Sequence, residues 1–315
     1  MSFIGPHLAV GIHTLFLVTG VLANLFILIV NFQDWLKTHD SNPATLIINS
    51  IALINLFFQG AVAFNEVASF MFVEFYIQVW VVNPLVIIMS SLAFSSLWCS
   101  TCLCFYYFIK IINFSSSFFH KLKAKIPAVV PWLLIISVAV SWSVGVPAYW
   151  DLYMDIKPMP ALTAHNATLL FSATLKSKCK CLFEMYMLFA ALAFSIIFIT
   201  AGSIITSLCK HMIRMKKSNE GSGNSRIHSH LSAAKTVTSL LLLYLIFFGF
   251  LSSLFSEVEN ARSLIFFLSF IVVSSFPTFN SIILIMGNRK LSNSMKNLLC
   301  MRLTAANTEV TITTY

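Results

Sequence analysis

Long apolar runs alternate with short polar or basic segments along the chain, at roughly 8–32, 44–65, 80–109, 127–149, 183–208, 232–256 and 263–286. Each run is long enough to cross a hydrocarbon layer of about 30 Å as an α-helix rising 1.5 Å per residue. Inside a bilayer the backbone must satisfy its own hydrogen bonds, so this pattern predicts an all-α membrane protein with a bundle of seven transmembrane helices. The stretch at 80–125 organises the chain. Its first part, WVVNPLVIIMSSLAFSSLWCSTCLCFYYFI, is uncharged, and it turns basic at Lys110 and again at His120, Lys121, Lys123 and Lys125. After the seventh run, Leu291, Met295, Leu298 and Leu299 recur at helical spacing with Lys290, Lys296 and Arg302 between them. That periodicity predicts an amphipathic helix on the inner membrane face. The chain therefore divides into a seven-helix domain, 1–288, and a cytoplasmic tail, 289–315.

Charge orients the bundle. With the amino terminus outside, the segments at 33–43, 110–126 and 209–231, together with Lys235 and the tail, hold fifteen of the twenty Lys and Arg residues. The other five are Lys157, Lys176, Lys178, Lys180 and Arg262. The excess belongs on the cytoplasmic side. Trp35, Trp80, Trp132 and Trp150 fall near span ends, where an aromatic belt sits. A net charge of +9 would otherwise suggest nucleic acid. Here the basic residues sit in short loops as topology signals, and no nucleic-acid partner is expected.

Composition removes the soluble classes: 58% of residues are hydrophobic and 10% charged, and the mean hydropathy is +0.86. The start, MSFIGPH, has no basic region, and the apolar segment after it outlasts a cleavable signal, so the first helix is expected to insert as its own signal. Cys99, Cys102 and Cys104 read as buried small hydrophobes, while Cys179 and Cys181 fall in an outer loop. Cys300 beside the tail helix is either a palmitoylation site or a free thiol. Two glycosylation sequons exist, at Asn166 and Asn113, and topology exposes only Asn166 to the outside. The sequence carries no HExxH, GxSxG, Walker or GxGxxG pattern and no carboxylate pair within a span, so no catalytic residues, metal or cofactor are expected. A transporter would keep ionisable residues near the midplane. Glu66, Glu74, Asp151 and Glu184 instead lie at outer ends.

The run FYYFIKIINFS at 105–115, preceded by Trp98, Thr101, Cys102 and Leu103, resembles the third-helix signature of type 2 (bitter) taste receptors. Four further stretches extend the resemblance. They are Asn24 with VNFQDW at 30–35, SLCKH at 207–211, the opening of helix six from His230 to Thr238, and FPTFNSIILIMGNRKL from Phe276 to Leu291. The chain departs from the family at Asn55, where Arg is usual, at Asn280 for His, at Ala193 for Pro, and at Glu66 for Trp. No cysteine stands at the outer end of helix three, as in that family.

The resemblance implies a chemosensory G-protein-coupled receptor at the plasma membrane, whose partners are a small-molecule bitter agonist, a heterotrimeric G protein (gustducin or one of the inhibitory class) and membrane lipid. It implies an outer pocket touched by Asn65, Glu66, Met89, Ala93, Phe247 and Phe270, more apolar than usual. The carboxylate of Glu66, where that family usually has Trp, would give this pocket a charged handle for cationic agonists. It implies a coupling surface at Lys110, Asn113, Lys210, His211, His230 and Lys235, and a polar network of Asn24, Asn55 and Asn280. An amide in hydrocarbon is costly unless bonded, so those three should face one another. The alternatives are a type 1 vomeronasal pheromone receptor, which lacks the SLxKH and helix-three matches, and a helical membrane transporter.

Overall fold

The computed structural model describes residues 4–39, 42–112, 117–158, 171–179, 181–218, 224–256, 264–298 and 300. The helices are α1 (Ile4–Thr38), α2 (Pro43–Met71), α3 (Val73–Tyr76), α4 (Val79–Ile111), α5 (Ser117–Gly145), α6 (Ala148–Asp151), α7 (Cys181–Ser218), α8 (Asn224–Ser256), α9 (Leu264–Gly287) and α10 (289–298). Seven of them, α1, α2, α4, α5, α7, α8 and α9, are long and apolar enough to cross a membrane. The helices outrun the apolar runs that predict them. α5 begins ten residues before its run and α8 eight before, both at basic or polar ends. Hydropathy marks where the chain meets hydrocarbon, whereas the helix continues until a cap or breaker stops it.

Local chemistry sets some ends directly. Asn42 caps α2, its Oδ1 accepting from Ala44 N at 3.1 Å, and Pro43 occupies the first helical turn, where no amide hydrogen is needed. The bundle closes on itself: α1 packs against α2 and α9, α8 against α7 and α9, and α4 lies among α2, α5, α7 and α8. The central position of α4 explains why Phe94, Leu97, Cys99, Leu103 and Cys104 are all buried. Leu15, Leu22, Ile29, Trp132, Leu188 and Phe198 stand outward and exposed. Such a surface is untenable in water and is what a lipid-facing rim needs.

The long loop after α6 folds as an antiparallel hairpin, β1 (Leu152–Pro158) on β2 (Phe171–Ser177), with Leu152 opposite Ser177 and Ile156 opposite Ala173. The spans are all-α as expected, and the hairpin is an addition that the run lengths did not reveal. Its return is tied down beside α6. Lys178 Nζ donates to Trp150 O at 3.0 Å, Cys179 N donates to Asp151 Oδ1 at 2.8 Å, and Cys179 is disulfide-bonded to Cys181. Asn166 lies outside the described residues. In α10, Leu291 is fully buried and Met295 packs against the core, while Lys296 and Leu298 are exposed. Part of the apolar stripe therefore meets the bundle instead of lipid.

Candidate functional site

Three regions lie along the axis of the bundle, starting from the end that carries the hairpin. The first is a small cavity of about 140 Å³ between α2, α4, α8 and α9. Met89 and Ala93 line it from α4, Phe247 from α8 and Phe270 from α9, so the fold brings four of the six sequence-nominated contacts together. Met89 stands ten residues into α4, about 15 Å from the end of that helix. Sequence reasoning did not nominate Phe58, Phe94 or Leu251, which complete the wall. The two hydroxyls present are already engaged on their own helices: Ser90 Oγ donates to Ile87 O at 3.1 Å and Ser274 Oγ to Ile271 O at 3.1 Å. The wall is therefore effectively apolar. Phe247 lies tilted against Phe276 at 4.5 Å between ring centroids, and Phe276 in turn meets Tyr244 at 5.3 Å.

Asn65 and Glu66 are not on this wall. Asn65 Oδ1 accepts from Tyr76 Oη at 2.9 Å, and burial pushes the Tyr76 phenol up, keeping it a donor. Glu66 pairs with Nδ1 of His13, whose residue is only 3% exposed on α1. The His13 ring also meets Phe270, at 5.7 Å between centroids. Glu66 thus reaches the cavity only through His13, a residue that sequence reasoning passed over. Its signal was present: a histidine inside an apolar run needs a partner as much as an asparagine does.

Below the cavity, Asn24, Asn55 and Asn280, each fully buried, share one network. Asn55 Nδ2 donates to Asn24 Oδ1 at 3.4 Å, and Ser96 Oγ donates to Asn55 Oδ1 at 2.7 Å. Asn280 Nδ2 donates to Ser96 Oγ at 3.3 Å and to Ser100 Oγ at 3.4 Å. Gln59 extends the network, accepting from Asn24 Nδ2 at 3.5 Å and donating to Thr278 Oγ1 at 3.4 Å. Thr278 in turn donates to Phe16 O at 2.7 Å. Gly20 is where α1 can approach this closely, because a Cβ there would collide with the side chains of Gln59 and Thr278. Four spans, α1, α2, α4 and α9, are joined by neutral groups.

The opposite end is basic. Lys110 ends α4, with Nζ donating to Tyr106 Oη at 3.3 Å and lying 5.4 Å from that ring centroid. Tyr106 Oη donates to Asn42 Oδ1 at 3.4 Å. Lys210 on α7 and Lys235 on α8 are exposed at the same end. His211 and His230 are helical, with side chains outside the described set, and Asn113 lies outside the described residues altogether. Lys290 pairs with Asp34 at 2.7 Å and donates to Asn31 Oδ1 at 3.2 Å, fastening α10 to α1. Among the described residues, no group of His, Cys, Asp and Glu could hold a metal ion.

The family model for taste receptor protein (TAS2R) matches residues 3–303. Human taste receptor type 2 member 2 is 29% identical over 286 residues, covering 90% of this chain and 93% of that one. Taste receptor type 2 member 7 of Pan paniscus is 28% identical over 294 residues, covering 87% and 85%. Human taste receptor type 2 member 39 is 28% identical over 287 residues, covering 89% and 82%. With a family match over nearly its whole length and seven membrane-crossing helices, the chain belongs to the type 2 taste receptors, multi-pass chemosensory receptors that take small-molecule agonists and couple to G proteins.

Proposed function

We propose that this receptor detects small, mostly apolar bitter compounds in the cavity lined by Met89, Ala93, Phe247 and Phe270, and that it activates gustducin or another G protein of the inhibitory class. The observation that carries the ligand class is the wall itself, where both hydroxyls are spent on backbone carbonyls of their own helices. A polar agonist would lose its hydration there with little in return. At about 140 Å³ the cavity is smaller than the 300–1,000 Å³ usual for drug-sized ligands, so agonist entry requires it to widen. Met89, with its flexible thioether chain, is suited to that adjustment.

The amino terminus and hairpin face outward in this reading, and Lys110, Asn113, Lys210, His211, His230 and Lys235 face the G protein. The excess of Lys and Arg at that end supports the orientation. Activation is then a difference in affinity between two bundle states, with agonist favouring one at the cavity and G protein favouring the same one at the basic end.

Calcium release in cells carrying a promiscuous G protein, screened against a bitter-compound panel, tests the function. Ala93→Trp, which fills the cavity, is expected to abolish the response while surface staining persists. A response to Ala93→Trp equal to wild type moves the agonist elsewhere, and uptake of radiolabelled compound without calcium release would favour a transporter. Orientation has its own test. Asn166→Gln is expected to remove a glycosidase-sensitive gel shift, and retention of the shift would reverse the topology or relocate the glycan.

A further inference from the structure

A cleft of about 670 Å³ opens between the last turns of α1, the start of α2 and the start of α10, within the size range of small-molecule sites. It lies at the basic end, away from the agonist cavity, and its wall divides by chemistry. Leu28, Phe32 and Trp35 form an apolar side, with Phe32 58% and Trp35 46% exposed towards the surrounding lipid. The polar side includes Thr45, Asn49, Asn288 and Lys290 and also the Asp34 carboxylate, which is paired with Lys290.

The polar side is partly committed. Asn31 Nδ2 donates to Asn49 Oδ1 at 2.7 Å, and Asn288 Oδ1 accepts from the Lys290 and Leu291 amides at 3.0 and 3.4 Å. The carbonyl oxygens of both asparagines are therefore occupied. The amide nitrogens of Asn49 and Asn288 and the hydroxyl of Thr45 have no hydrogen bond among the described residues. Apart from the Asp34 carboxylate, which Lys290 holds, what remains available on these residues is mainly donors. The charge has the same preference, since Lys290 is offset by Asp34 while Lys37 and Arg289, exposed and next in sequence to the lining residues Thr38 and Lys290, add two more positive charges near the cleft. Donors and excess positive charge beside an apolar, lipid-facing wall suit an amphiphile whose polar end is an acceptor-rich anion.

We propose that this cleft binds an anionic membrane phospholipid, its phosphodiester oxygens accepting from Asn49, Asn288 and Thr45 and its acyl chains lying along Phe32 and Trp35. A zwitterionic phospholipid offers the same phosphodiester but adds a cation that Lys37 and Arg289 repel. Asn42 lines the cleft and also accepts from Tyr106, the partner of Lys110, so an occupant sits one hydrogen bond from the end of α4. The inference rests on the proposed orientation only in placing this end in the leaflet rich in anionic lipid. Binding in symmetric vesicles does not depend on it.

The full-length receptor, reconstituted in vesicles of equimolar phosphatidylcholine and phosphatidylserine and analysed by native mass spectrometry after gentle extraction, is expected to retain phosphatidylserine by about tenfold over phosphatidylcholine. Thr45→Phe, which fills the cleft from α2, and the double substitution K37Q/R289Q, which removes the two neighbouring charges, should each bring the ratio close to one. If Thr45→Phe does not fold, the double substitution decides alone. Equal retention of the two lipids by the wild-type receptor would mean annular lipid and overturn the proposal. A preference that survives K37Q/R289Q would overturn it too. Inorganic phosphate separates the two sources of the anion, since a rise in melting temperature with phosphate but no lipid preference would identify a free-anion site.

Discussion

Replacing Asn55 with leucine is expected to shift agonist dose–response curves by about tenfold or more while most of the receptor still reaches the cell surface. Asn55 is fully buried and bonded on both sides, to Asn24 of α1 through its nitrogen and to Ser96 of α4 through its oxygen. Leucine branches at the same carbon but is bulkier, so the loss of these two hydrogen bonds comes with some overpacking of the site. Interhelical hydrogen bonds in membranes average roughly 0.6 kcal/mol and reach about 1.7, so two of them contribute on the order of 1 to 3 kcal/mol. That is small against a typical stability of about 5–15 kcal/mol, which is why the receptor should still fold. It is comparable to the few kcal/mol that separate two conformations of a switching protein, which is why signalling should suffer. Calcium response normalised to surface staining measures the two effects separately. Unchanged curves for leucine at Asn24, Asn55 and Asn280, each tested singly, would reduce the network to a structural tie.

The spans are legible in the sequence because a hydrocarbon layer imposes a length and excludes charge, and both leave marks that survive any detail of packing. Helix ends are less legible. α5 starts at Ser117, although the apolar run begins ten residues later, because nothing in between breaks a helix. The hairpin left a partial mark: Phe171, Ala173 and Leu175 alternate with Ser172, Thr174 and Lys176, the period of a strand, in a segment read only as a loop. Its partner strand, LYMDIKP, carries the same period, Leu152, Met154 and Ile156 alternating with Tyr153, Asp155 and Lys157 before Pro158 ends it.

The amides at 24, 55 and 280 stand out because polar residues in apolar spans are rare, and the fold puts all three in one network. Gln59 and His13, one inside LFFQGA and the other inside GIHTLF, are equally rare, but the resemblance that grouped the three asparagines gave these two no place. Distances between helices decide which of these residues meet, and no pattern within a single helix encodes them. Glu66 shows the consequence. Its place near a helix end suggested a handle for ligands, and only the position of α1 across from it reveals that its carboxylate already has a partner.

Because of that partner, Glu66→Gln is expected to weaken amine and neutral agonists alike, by about ten- to a hundredfold. A cationic agonist would first have to take the carboxylate from a histidine that is almost fully buried, and the cavity wall does not include Glu66. What the pair can do is hold the His13 ring where it meets Phe270, and Phe270 does line the cavity. A hydrogen bond to a charged group contributes about 1.5–3 kcal/mol. The Glu66 side chain is 29% exposed, so water screens part of that contribution and a loss of about 1.4 to 2.8 kcal/mol is a fair expectation. His13→Gln should produce a shift of similar size. If the two residues act only through each other, the double substitution should be no worse than either single one, since an interaction already lost cannot be lost again. Additive losses in the double variant would show independent roles. Weakening confined to amine agonists would return Glu66 to the pocket as a direct contact, with His13 as the residue that a ligand displaces.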